Sequence, residues 1–147
     1  TAGQGSELPD CKVDRFKAKR AAEKGGSSSF NSQSLLFHQV WTIIGPGAVE
    51  GFKRCNARDR AFSVVFKGEG GQDAGGLYRE LLDDIVKELQ QPHPDPQLLP
   101  IFLPSANQAS DVGDDRSGFV LNPTATSATA FGMMRFLGQL MGLAIRT

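Results

Sequence analysis

Nine consecutive residues, Gly68-Glu69-Gly70-Gly71-Gln72-Asp73-Ala74-Gly75-Gly76, contain five glycines and lie between two segments of different periodicity. Before them, Phe62-Ser63-Val64-Val65-Phe66 is β-branched and aromatic and reads as a strand. After them, Leu77, Leu81, Leu82, Ile85, Val86 and Leu89 recur at helical spacing, until Pro92, Pro94 and Pro96 end the run. Glycine reaches φ > 0 without steric cost, so this run is suited to a sharp reversal from extended to helical backbone. Strand, glycine loop and helix is the unit around which the rest of the chain must be arranged.

The remaining segments give an α+β fold, mainly helical with short strands. Val13 to Lys24 has helix-forming composition, many charges and few apolar anchors, as in a largely solvated helix. Gly25-Gly26-Ser27-Ser28-Ser29 follows as a linker, so residues 1–29 are expected to be a basic helix and flexible tether, and 30–147 the folded part. From Leu35, the apolar positions Leu36, Phe37, Val40, Trp41 and Ile44 predict a helix that Gly45-Pro46-Gly47 stops. Leu98 to Leu103 and Phe119-Val120-Leu121 predict two strands of a hairpin, joined by a polar loop over Ala106 to Gly118 and closed by an Asn122-Pro123 turn. The last helix starts near Thr126 or Ser127. Its expected apolar face is Phe131, Met134, Leu137, Leu140, Met141, Ala144 and Ile145, with Gly138 and Gly142 placed for close packing against another helix in the core.

Composition narrows the function classes. The 16 basic and 16 acidic side chains cancel, which argues against a dedicated nucleic-acid binder. Residues 1–60 hold 10 basic and 6 acidic groups, and the remainder 6 and 10, a division that a solvated surface explains. The apolar stretch from Phe131 to Ile145 contains Arg135 and Gln139 and is shorter than the ~20 residues of a membrane span. Cys11 and Cys55 form no CxxC or Cys/His cluster, so no metal site is read, and their use suits a reducing compartment, cytoplasmic or nuclear.

Several chemical readings of the loop fail on spacing. A dinucleotide fingerprint wants glycine where Asp73 stands, and the second glycine run continues into Leu77-Tyr78 instead of Lys-Ser/Thr. Glu69 and Asp73 would also repel phosphate. As a glycosidase pair they lack a controlled separation and nearby sugar-stacking aromatics. The structural reading has Asp73 accepting N–H groups at the helix start, Gly75 and Gly76 at φ > 0, and Arg79 turning back onto Glu69 or Asp73. Asp83 and Lys87 would then form a surface i,i+4 pair. Asp111 to Asp115 lacks the spacing of a calcium loop, and neither His38 nor His93 has a catalytic partner at a recognisable distance. Cys55, beside Lys53, Arg54 and Arg58, is read as an inert or oxidisable thiol before a nucleophile.

The run Phe66-Lys67-Gly68-Glu69, then Asp73-Ala74-Gly75-Gly76, then Leu77 and Arg79-Glu80 resembles the signature of HECT-type ubiquitin-protein ligases. Leu99-Pro100-Ile101-Phe102, Asn122-Pro123 and Phe136-Leu137-Gly138-Gln139-Leu140-Met141-Gly142-Leu143-Ala144-Ile145 follow in that family's order, with Gln139 where the family usually has a basic residue. The resemblance implies the first part of the HECT N-lobe, with a C-lobe and its thioester-forming cysteine downstream of Thr147. It implies partners for the full-length ligase: a ubiquitin-conjugating enzyme, ubiquitin and protein substrates, without a cofactor. On that reading Gly68, Glu69, Asp73, Gly75, Gly76, Arg79, Glu80, Asn122, Pro123, Gly138 and Gly142 are scaffold residues, and the fragment alone is inactive. Two alternatives stay open: a non-catalytic scaffold that retains the N-lobe, and an unrelated α+β domain with a nucleotide loop.

Overall fold

The computed structural model describes residues 8–24, 32–55, 60–70, 76–90 and 101–146. The expected linker at 25–29, Asp73, Gly75, His93 and the three prolines after Gln91 lie outside them. Cys11–Val13 forms strand β1, followed by helix α1 at Arg15–Glu23, α2 at Leu36–Ile44 and α3 at Ala48–Arg54. Strand β2 is Val64–Phe66, and α4 runs over Gly76–Leu89. Next come β3 at Phe102–Pro104, the short α5 at Ala106–Ser110, β4 at Phe119–Leu121 and the long α6 at Ala128–Arg146.

β1 and β2 pair in parallel, Cys11 opposite Val64 and Val13 opposite Phe66, and the pleat turns these four side chains inward. Lys12 and Val65 face out. The sequence reading missed β1, since three residues, Cys-Lys-Val, become a strand only when β2 lies beside them. Asp14 then starts α1, its carboxylate accepting from Lys17 N at 2.9 Å. Gln39 of α2 clamps this junction: its amide accepts from Asp14 N at 2.8 Å and donates to Asp14 O and Ser34 O. α1 is mostly solvated, as expected, but Ala18 and Ala21 enter the common core.

α2 ends at Ile44, where Gly45-Pro46-Gly47 begins, as expected, but this tripeptide does not end helical backbone altogether. It makes a single 3₁₀ turn that passes directly into α3. Pro46, the second residue of this turn, lies among the opening positions whose N–H groups have no partner within the turn. The core forms where α2, α3, α4, α6 and the β1–β2 ribbon meet. Phe37 and Phe136 have ring centroids 5.9 Å apart, Phe52 and Phe136 6.5 Å, and Phe62 and Tyr78 5.3 Å.

The hairpin is antiparallel, with Phe102 opposite Leu121 and Pro104 opposite Phe119, as expected. Its loop holds one unforeseen element, α5, capped by Ser105 Oγ, which accepts from Gln108 N. Asn122 Oδ1 accepts from Thr124 N at 3.0 Å and from its hydroxyl at 2.7 Å, so the Asn122-Pro123 turn is closed by an asparagine side chain. Ser127 Oγ accepts from Ala130 N and caps α6.

The face of α6 is corrected. Ala130, Met133, Phe136, Leu140 and Leu143 are buried, whereas Phe131, Met141 and Ile145 are exposed. Gly138 and Gly142 do not pack in the core: a Cβ at either would meet nothing within 4 Å. By length and composition α6 could cross a bilayer, yet its inner residues belong to the core shared with α2 and α3.

Candidate functional site

Backbone geometry at the end of β2 accounts for the first glycine of the motif. Gly68 sits at φ 75° and Glu69 N donates back to Phe66 O at 3.2 Å, a tight turn that side-chain-bearing residues enter with strain. There is open space around Gly68, so its role is conformational and not one of close approach. Gly76 differs from the expectation of positive φ: it is the first residue of α4, with nothing within 4 Å of a built Cβ.

The turn delivers Glu69 to Arg15, at the start of α1. Arg15 bonds both carboxylate oxygens of Glu69, one through Nε at 2.9 Å and the other through Nη2. Its Nη1 also pairs with Glu80 and reaches Asp84 at 3.4 Å. The guanidinium lies 3.8 Å from the centroid of the Phe66 ring, a cation–π contact. One arginine thus ties β1–α1, the β2 turn and α4 together. Arg15 holds the Glu69 carboxyl below its ordinary value, chiefly by hydrogen bonding, and the carboxylates raise the Arg15 guanidinium in turn.

The sequence reading had Arg79 turning back onto Glu69 or Asp73; the structure gives the Glu69 partner as Arg15, Arg79 is an exposed residue of α4, and Asp73 lies outside the described residues. Lys87 likewise reaches Asp84 at 4.0 Å, an i,i+3 pair in place of the expected one with Asp83. Glu80 of the motif lies in the Arg15 cluster, as does Asp84, which the motif does not include.

Two further charged residues escaped sequence reasoning. Glu88, near the end of α4, accepts from Leu36 N at 2.8 Å and Phe37 N at 2.9 Å, and so caps α2, whose own N-cap residue Leu35 offers no acceptor. Burial pushes its carboxyl up to about 7, against the lowering effect of the two N–H bonds. Arg146, at the end of α6, donates to Phe52 O at 2.8 Å and also to Cys55 O, satisfying carbonyls at the end of α3. No spacing rule relates either residue to the helix it caps.

Catalytic chemistry finds little to use here. Cys11 and Cys55 are both buried, and burial pushes the Cys11 thiol up to about 12, far from a reactive thiolate. His38 lies edge-on to Trp41, with centroids 5.4 Å apart, and desolvation lowers its pKa. Among the described residues no group of three or more His, Cys, Asp or Glu side chains is placed to hold a metal ion. Asp111 pairs with Arg116 at 3.5 Å at the exposed loop before β4. What the described part of the motif builds is a junction of strand, turn and helix held by Arg15.

Comparison with known proteins gives that junction its context. Human E3 ubiquitin-protein ligase HERC2 is 31% identical over 142 residues, 95% of this chain and 3% of the relative. The mouse HERC2 ligase is 30% identical over 139 residues, again 95% and 3%. Human HECTD4, named a probable E3 ubiquitin-protein ligase, is 34% identical over 86 residues, 58% of this chain and 2% of its own. No family model matches, and no solved structure matches. The chain therefore spans about 3% of the length of the first curated relatives it resembles. With 95% of its residues aligned at about 30% identity to E3 ubiquitin-protein ligases, the chain belongs to the HECT-type ubiquitin-protein ligase family.

Proposed function

We propose that this chain is the opening part of the N-lobe of a HECT-type ligase and serves there as scaffold. The observation that carries the reading is the alignment of 95% of the chain with E3 ubiquitin-protein ligases. Residues 30–147 are assigned to the lobe, and β1 and the basic helix α1, within 1–29, are packed onto it through β2 and the Arg15 cluster. The full-length protein would take ubiquitin from a conjugating enzyme and pass it to substrate lysines, in the cytoplasm or nucleus. In the first step a cysteine thiolate of the ligase attacks the thioester carbonyl of the charged conjugating enzyme, whose own thiolate leaves. In the second, a lysine amine attacks the new thioester, the ligase thiolate departs, and the amine proton is lost to a base. The attacking cysteine lies outside this chain on this reading: the buried thiols of Cys11 and Cys55 are poor candidates, and the fragment alone is inactive.

The experiment is to recover the transcript beyond Thr147 and charge the full-length protein with ubiquitin. A reductant-sensitive adduct, lost on Cys→Ala at the C-lobe position, supports the ligase. An early stop, or a C-lobe without that cysteine, replaces it with a non-catalytic scaffold.

A further inference from the structure

The β3–β4 hairpin has the form of an incomplete sheet, and its hydrogen bonds identify the open side. Asn122 N donates to Ile101 O at 2.8 Å, and Ser105 N donates to Gly118 O at 2.9 Å. With Leu103 opposite Val120, antiparallel alternation makes 101–122, 103–120 and 105–118 the bonded pairs. The N–H and C=O groups of Phe119 and Leu121 therefore point away from β3, along the outer edge of β4. The outer edge of β3 is blunted, because Pro104 has no N–H to offer there.

Side chains repeat the asymmetry. Phe119-Val120-Leu121 is apolar at three successive positions, the pattern of a strand covered on both faces inside a sheet. Yet Val120 is 50% and Leu121 57% exposed. Two short strands alone are marginal in water, and a third strand is the addition that would satisfy both edge and faces. The approach to β4 is acidic. Gly118 N donates to Asp115 O, which holds Asp115 at the strand's start beside exposed Asp114, while Arg116 is engaged with Asp111.

We propose that the outer edge of β4 takes up an extended, largely apolar peptide segment of a partner protein as a third strand, with a lysine or arginine of that segment beside Asp114 and Asp115. Main-chain hydrogen bonds to Phe119 and Leu121 supply the affinity, Val120 and Leu121 the apolar contacts, and the two aspartates the choice of a basic segment. The proposal stands on hairpin geometry and is independent of the ligase reading.

The test is a fluorescence anisotropy titration of the full chain into a dye-labelled peptide of alternating valine and threonine with arginine at one end. Saturable binding is expected. Leu121→Pro deletes an outward N–H while sparing the ladder bonds of Val120, and should weaken binding roughly tenfold, the effect of one lost hydrogen bond. Asp114→Asn with Asp115→Asn should weaken binding of this peptide and leave a glutamine-ended one unchanged, a comparison that holds even if Leu121→Pro unfolds the hairpin by circular dichroism. Absence of saturable binding overturns the proposal, as does equal affinity of all variants. A wild-type dimer that Leu121→Pro converts to monomer also overturns it, because the edge then belongs to a second copy.

Discussion

Arg15 replaces the local pairing that chain proximity suggests with a long-range one. Glu69, Glu80 and Asp84 converge on it, and its charge lies over Phe66. A surface ion pair contributes only ~0.2–1 kcal/mol, but removing this partly buried arginine leaves three carboxylates facing each other and uncovers the ring. Arg15→Ala should lower stability by about 2 kcal/mol, read from urea midpoints, and Arg15→Lys should recover only part, since an ammonium cannot match the fork on Glu69. An unchanged midpoint for Arg15→Ala would reduce the cluster to surface decoration. The glycines separate in the same way. Gly68→Ala should cost about 1 kcal/mol from its positive φ alone, whereas Gly76→Ala, in the first turn of a helix with open space, should be neutral or slightly stabilising. Motif spacing in the sequence marked Gly68, Glu69 and Glu80 but not Arg15. That residue reaches them only because β1 pairs beside β2, a contact across more than fifty positions that no local pattern encodes.

At the level of elements, strong periodicity was legible and boundary chemistry between elements was not. α2, α4 and α6 and the hairpin follow from apolar spacing and turn residues. α3 was hidden because Gly-Pro-Gly reads as a stop, and the capping of α2 by Glu88 was hidden because the cap comes from another helix. That cap makes stability depend on pH. The folded-state carboxyl titrates at about 7 against 4.5 for the free group, raised first by burial and further by the Asp84 charge. Between those values the native state holds a proton that the unfolded chain releases. The stabilisation is therefore complete below 4.5 and is lost as pH rises through 7. Glu69 acts in the opposite sense: its lowered pKa supports the fold above the ordinary carboxylate range and stops doing so as pH falls. Stability should thus peak on the acid side of neutrality. The urea midpoint should fall from about pH 5 to about pH 8 in the wild type and stay nearly level over that range in Glu88→Gln. Parallel falls in both would assign the slope to other groups.

On the scale of the whole molecule, α6 is apolar around most of its circumference, which is why its sequence could not declare which side faces inward. A stripe through Phe131, Met141 and Ile145 satisfies helical periodicity as well as one through Met133, Phe136, Leu140 and Leu143, and only the positions of α2 and α3 decide between them. The two stripes should respond differently to substitution. Phe136→Ala opens the junction between Phe37 and Phe52 and should cost about 3–5 kcal/mol, enough to unfold a domain of this size under mild denaturant. Met141→Gln with Ile145→Gln changes side chains that are 60% and 88% exposed, so the chain's own stability should move by no more than ~0.5 kcal/mol. Concentration-dependent association, measured by light scattering, should decline in the same variant as an apolar surface is removed. If the chain is the opening of a larger lobe, the same pair placed in the full-length protein should lower its thermal midpoint, because further parts of the lobe then cover the stripe. An unchanged midpoint there would mean that the outer face of α6 stays in solvent in the complete protein as well.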